Sequence, residues 1–160
     1  MHAEGTQHPL EKVLVQEVQC TGRLLECLMA ERSALTRRDL ELLEKTTHGK
    51  VQYTRQLEEL EAQREALVLE LGFASGPDTL LDCFKSLPQA DRLIQLWKQV
   101  LANTEACQTG NLTNGGILES SRQHVEQALS ILRGQSGTPS LYDPNGDASA
   151  NLGQRELGKV

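Results

Sequence analysis

Counting from Leu93 in alternate steps of four and three residues lands on Trp97, Val100, Thr104, Cys107, Asn111, Asn114, Leu118, Ser121, Val125, Ala128 and Leu132. Eight of these twelve positions are apolar, two are small hydroxyl residues, and the two asparagines are the only amides. This repeat passes through "GNLTNGGIL", where local chemistry favours a stop: Asn-Gly between apolar residues is a hairpin signal, and each glycine costs a helix interior about 1 kcal/mol relative to alanine. A hairpin at Asn114-Gly115 has no reason to keep a seven-residue register across itself. The repeat therefore predicts one helix over residues 88–132. Asn111 and Asn114, with Gly115, then act as seam and register residues, buried amides fixing alignment at some cost in stability; the competing reading has them cap a local break. Gly115 and Gly116 either admit a neighbouring helix or permit a bend.

The five prolines, at 9, 77, 88, 139 and 144, leave Leu10 to Gly76 free of the strongest helix breaker. Two long helices fit there. Leu14, Val18, Leu25, Leu28 and Leu35 form an apolar stripe on a helix over 9–34, with Pro9 in its first turn. In "LTRRDLELLEK", Thr36 followed by Asp39 has the form of a capping box with Asp in place of Glu, which starts a second helix near Arg37. That helix, over 37–71, carries Leu40, Leu43, Thr47, Val51, Thr54, Leu57, Leu60, Leu67 and Leu71 and stops at Gly72, with Gly49 a tolerated interruption. A link this short forces an antiparallel hairpin. "GFASGPDTLLDCFKSLPQ" supplies a turn and a connector helix over 78–86 presenting Leu80, Leu81 and Phe84, after which Pro88 opens the last helix.

The expected fold is all-α: an antiparallel helical bundle or coiled coil of three long helices over 9–132, a short connector helix, and a flexible C-terminal tail over 133–160. Composition agrees, with 27 leucines against five aromatic residues. At 1.5 Å per residue the long helices measure roughly 40, 50 and 65 Å. The third outruns its partners near residues 120–125, and its last turns carry Ile117, Leu118, Val125, Ala128, Leu129, Ile131 and Leu132. An apolar helical face without cover implies a binding surface for a foreign partner, or for a second copy in a homodimer. The tail after Arg133 holds five of the 13 glycines, and its Tyr142 either docks a partner or folds back on the bundle.

Several function classes recede. The net charge is −6, and no cluster of Lys and Arg provides a nucleic-acid footprint. No apolar run approaches a membrane span and no signal-peptide core opens the chain, so a soluble cytoplasmic protein is expected. The four cysteines form no C-x-x-C pair and the four histidines lie apart from them, so no metal is expected. No Gly-x-x-x-x-Gly-Lys loop occurs and no cofactor is expected. Ser120, Ser121, His124 and Glu126 share a stretch without an oxyanion or metal arrangement, which argues against an enzyme.

The segment "NLTNGGILESSRQHVEQALSILRG", with its Asn-x-x-Asn-Gly-x-x-Leu pattern and Ala-Leu-x-x-Leu close, followed by "SLYDPNGDAS", resembles the FlgN family of flagellar export chaperones. The resemblance covers roughly Cys107 to Ser149. It implies a cytosolic protein that binds the C-terminal helical regions of the hook-filament junction proteins FlgK and FlgL, keeps them unassembled, and presents them to the type III export gate. By the same resemblance, the segment from Ile117 to Leu132 holds the substrate and Tyr142 contacts the gate protein FlhA. A self-associating coiled-coil adaptor is the alternative.

Overall fold

The computed structural model describes residues 7–134. Within them the chain forms four helices: α1 (Pro9–Arg37), α2 (Leu40–Glu70), α3 (Pro77–Lys85) and α4 (Ala90–Leu132). No strand occurs among the described residues. Internal contacts divide the chain into two units, Met1–Gln123 and His124–Val160.

Local chemistry sets each helix end. His8 caps α1 by accepting a hydrogen bond from the Leu10 amide at 3.2 Å, with Pro9 in the first turn, where its missing N–H is no loss. α1 runs three residues past the expected Ala34. Thr36 does not cap: its hydroxyl donates back to the Arg32 carbonyl at 2.9 Å. The chain reverses instead at Arg38, at φ 58° the one non-glycine residue with positive φ among those described, while Asp39 N donates to the Ala34 carbonyl at 3.0 Å. Asp39 then caps α2, its carboxylate accepting from Leu42 N at 3.0 Å. The second helix thus starts at Leu40 rather than Arg37. At the far end, Gly72 (φ 86°) closes α2. Phe73 N reaches the Val68 carbonyl at 3.2 Å and Gly72 N the Leu69 carbonyl at 2.9 Å, a paired closure that needs the left-handed backbone glycine adopts freely. Pro77 opens α3, but Pro88 sits in the turn before α4, where Ala90 N bonds the Leu87 carbonyl at 3.1 Å.

Hydrogen bonds across helices fix the register of the first unit. α2 returns antiparallel on α1, with Cys27 Sγ donating to the Thr46 carbonyl (3.0 Å) and Cys20 Sγ to that of Tyr53 (3.4 Å). α4 runs parallel to α1 at an offset of 82 to 86 residues: Asn103 pairs with Thr21, Cys107 with the Thr21 carbonyl, and Asn114 with Leu28 and Glu31. At that offset Arg37, where α1 ends, stands level with roughly Ser121.

The apolar core is graded. Its densest part lies where all four helices meet, joining Leu10, Leu14, Val68, Leu80, Cys83, Phe84, Leu93 and Leu96. Further along, Val13, Cys20 and Leu60 form a smaller cluster. Toward the α1–α2 turn the interior becomes polar. Of the expected α2 stripe, Leu60 is buried and Leu43, Leu57 and Leu67 are half-buried, while Leu40, Thr47, Val51, Thr54 and Leu71 face solvent; burial falls also on Thr46 and Val68, and Lys50 and Arg64 take part of the inward face. On α4 the buried line steps through Leu93, Leu96, Val100, Cys107, Gly110 and Asn114. It shares every seventh position with the expected seam but takes the residue three, not four, places on. The helix still runs unbroken through the glycines.

Two layers of charge tie the three long helices together. In one, the Glu17 carboxylate on α1 meets Arg64 Nε on α2 at 3.0 Å, and the Arg64 guanidinium lies 4.7 Å from the Trp97 ring centre on α4. In the other, Glu31 on α1 accepts from Lys50 Nζ on α2 at 3.0 Å, and Lys50 reaches Asn111 Oδ1 on α4 at 3.3 Å. Corresponding members stand fourteen residues apart on every helix, so two heptads separate the layers. No buried side-chain nitrogen or oxygen among the described residues lacks a partner.

Burial raises the affinity of Glu17 for its proton; Arg64, by charge and hydrogen bond, opposes this without cancelling it. A raised folded-state value means the folded chain binds more protons than the unfolded one across the window from the ordinary carboxylate range up to that value, so Glu17 lends stability at low pH that is lost as pH rises through it. Removing Arg64 alone leaves a buried carboxylate without a counter-charge, so Arg64→Leu is expected to cost about 3–5 kcal/mol near neutrality. The deficit should shrink in acid, and Glu17→Met with Arg64→Leu should recover most of it; urea denaturation at several pH values measures both effects.

Gly49 lies tightly against α1. A Cβ there would stand 2.9 Å from Cys27 Sγ, closer than carbon and sulfur pack. Gly49→Ala is therefore expected to destabilise despite the gain of about 1 kcal/mol in helix propensity. Adding Cys27→Ala should make the same change favourable, and thermal melts of the single and double variants test this.

Candidate functional site

Asn114 is 3% exposed and uses both ends of its amide. Its nitrogen donates to the Leu28 carbonyl at 2.9 Å and to Glu31 Oε2 at 2.7 Å, and its oxygen accepts from Arg32 Nε at 3.2 Å. An apolar residue could not serve three such partners. Asn111 lies on the solvent side of the same layer, exposed, and only accepts from Lys50. The first asparagine is a buried register pin and the second a rim contact, because the inward line passes through Gly110 instead. Gly110 lies against Leu28: a Cβ there would find that side chain at 3.6 Å, ordinary contact distance. Gly115 and Gly116 are exposed with open space beyond, so they admit no helix of the first unit. In a solvent-facing helix each costs about 1 kcal/mol relative to alanine.

Beyond Asn114 the side chains of α4 turn outward. Ile117 is half-buried, and Leu118 is 58% exposed. In the second unit the helix continues from His124 to Leu132 and closes at Gly134 (φ 69°), whose amide bonds the Ile131 carbonyl at 3.0 Å. There Val125 is 59%, Ile131 74% and Leu132 82% exposed, and Ala128 and Leu129 are exposed as well. Val125 and Leu132 stand seven residues apart, the spacing with which one helix meets another. Charge along this stretch is balanced locally: Arg122 bonds Glu119 at 2.9 and 3.0 Å, and with Gln123 at 3.2 Å holds that carboxyl below its usual range. Tyr142 lies outside the described residues.

The remaining chemistry is quiet. Burial pushes all four thiols above the ordinary cysteine range, which keeps them protonated. Among the described residues no group of His, Cys, Asp or Glu is placed to hold a metal, and no helix is long and apolar enough to cross a membrane. No apolar stripe marks the charge layers in the sequence. The signal was present in the fourteen-residue spacing of Glu17 with Glu31 and of Lys50 with Arg64.

Asn114 and Asn111 should therefore respond differently to truncation. Asn114→Ala leaves Glu31 short of a donor and is expected to cost about 1–3 kcal/mol, whereas Asn111→Ala should stay within about 0.5 kcal/mol of the parent. Chemical denaturation of the two variants provides the comparison.

Comparison with known proteins places this architecture. The profile of the family described as FlgN protein matches residues 1–150. A flagella synthesis protein FlgN of Yersinia enterocolitica serotype O:8 is 39% identical over 67 residues, 41% of this chain and 45% of that protein. A second Yersinia enterocolitica FlgN is 37% identical over 67 residues, with the same shares. The match thus spans about half the length of these curated relatives. A crystal structure described as a flagella synthesis protein FlgN from Pseudomonas aeruginosa superposes with a TM-score of 0.62 at 24% identity, covering 69% of this chain and 86% of that one, a likeness of fold. With the family profile spanning residues 1–150, nearly the whole sequence, the chain belongs to the FlgN family.

Proposed function

We propose that this protein is a cytoplasmic export chaperone without catalytic activity, which holds the C-terminal helical regions of the hook-filament junction proteins FlgK and FlgL and hands them to the export gate protein FlhA. The observation that carries this reading is the exposed apolar line on the end of α4: Leu118, Val125, Leu129, Ile131 and Leu132. Together with Ile117 and Ala128 these residues form the proposed substrate seat, and Tyr142 is the proposed gate contact. Flagellar junction proteins use their terminal helices to assemble. A chaperone that offers a helical apolar face can occupy those helices in the cytosol, substituting for the assembly partner. Each fully buried Leu or Ile contributes about 1.5–3 kcal/mol, so a few such residues suffice for a complex that forms readily yet releases at the gate. The relatives' names, flagella synthesis protein, agree with a role in building the flagellum.

Leu129→Asp with Ile131→Asp tests the seat. The double variant should bind the C-terminal segment of FlgK at least about a hundredfold more weakly by calorimetry, consistent with burial of two side chains, while its melting curve stays near the parent's because both residues are exposed. Unchanged affinity would refute the seat. Tyr142→Ala should leave FlgK binding intact and weaken binding to FlhA; a parallel loss of both would overturn the division between seat and gate contact.

A further inference from the structure

At the base of the first unit, the face of α2 that carries Glu61, Arg64, Glu65 and Val68 meets the start of α3 and Trp97 of α4 around a pocket of about 210 Å³. Val68, Pro77, Leu80 and the half-buried Trp97 give it an apolar wall. Pockets that hold small molecules run to about 300–1,000 Å³. This one fits an anchoring side chain rather than a cofactor.

Charge at the rim selects what that side chain belongs to. Glu61 and Glu65 stand about one turn apart there, both exposed. Among the described residues Glu65 meets no hydrogen-bond or ion-pair partner, and Glu61 has an ion pair with Arg64 Nη2 at 3.9 Å. Arg64, the cation in the wall, is already engaged: its Nε meets Glu17 at 3.0 Å and its guanidinium covers the Trp97 ring at 4.7 Å. The imbalance extends beyond the rim. Between Gln56 and Phe84 the sequence holds seven carboxylates and one basic residue, Arg64, which accounts for all of the chain's net charge of −6. An acidic segment approaching this surface is repelled, and a neutral one leaves the rim unmatched. A segment with Lys or Arg on either side of an apolar residue fills the pocket and offsets the rim together, and basic residues at i and i+4 of a helix match the spacing of Glu61 and Glu65.

We propose that this pocket between α2, α3 and α4 is a docking site for a basic amphipathic segment of another protein, whose apolar side chain enters beside Trp97 and whose Lys or Arg residues meet Glu61 and Glu65. The site shares no residue with the line at Leu129 and Ile131, so failure of one leaves the other standing.

Trp97 is the chain's single tryptophan, so its fluorescence reads the pocket directly. The probes are capped peptides of Lys, Leu and Ala with a central leucine and lysines four residues apart, titrated into the full chain at low ionic strength. The emission should shift to the blue and saturate as the ring is covered, and binding should weaken as salt is raised. Glu61→Gln with Glu65→Lys should lower the affinity by about tenfold or more, while the thermal melt stays near the parent's because both residues are exposed. Glu41→Lys with Glu44→Lys, at exposed carboxylates elsewhere on α2, should leave the affinity unchanged. Serine in place of the peptide's central leucine should weaken binding by about tenfold. An emission that no lysine peptide moves would overturn the proposal. So would equal affinity for the Glu61, Glu65 variant, for the serine peptide, or for a peptide with glutamate in place of lysine. A shift that follows protein concentration alone would give the pocket to a second copy and overturn it as well.

Discussion

The Glu31 carboxylate, shared between Lys50 and Asn114 beside the α1–α2 turn, is the contact on which the far half of the bundle depends. Apolar side chains suffice at the base, where four helices surround Phe84 and Leu93. Toward the turn α3 is gone and three helices must stay in register with few large residues between them. A buried carboxylate is costly unless its oxygens are occupied. Once Lys50 and Asn114 are required at fixed positions, a slip of α2 or α4 by one residue would orphan the charge. Specificity of register is thereby obtained where hydrophobic area alone would leave it loose.

The second layer repeats the device two heptads away with different chemistry. Arg64 pairs with Glu17 and rests on Trp97, so its charge is met on one side by a carboxylate and on the other by an aromatic face. Beside the Glu31 layer Cys27 packs against Gly49, a close approach that the missing Cβ permits, so pinning and tight packing occur together there. That arrangement holds the start of α4 firmly and places the outward turn of its side chains just after Asn114.

Much of this was legible beforehand. The proline map and leucine stripes gave the order and extent of the helices to within a few residues, and the seven-residue repeat carried α4 across Asn114-Gly115 against local propensity. Where the fold departs from local pattern, the causes are physical. Thr36 has the spacing to Asp39 that a capping motif needs, but a hydroxyl one residue inside a helix end prefers its own carbonyl four back, as the bond to Arg32 shows. On α2 the stripe holds at Leu57, Leu60 and Leu67, which pack on the core, but Thr47, Val51 and Thr54 face out, since Lys50 and Arg64 take part of the inward face. Asn111 and Asn114 looked equivalent in sequence; one residue of phase separates an exposed amide from a buried one.

The sequence by itself determined that the chain is helical, where its helices bend back, and that the last of them continues through its glycines, because proline positions, caps and apolar period act over a few neighbouring residues. The tertiary structure alone decided which asparagine is buried, which charges face inward and which apolar residues remain uncovered. Those outcomes depend on residues 19 to 86 positions apart in the chain meeting across a helix interface, and rotation of a helix by a fraction of a turn reverses them.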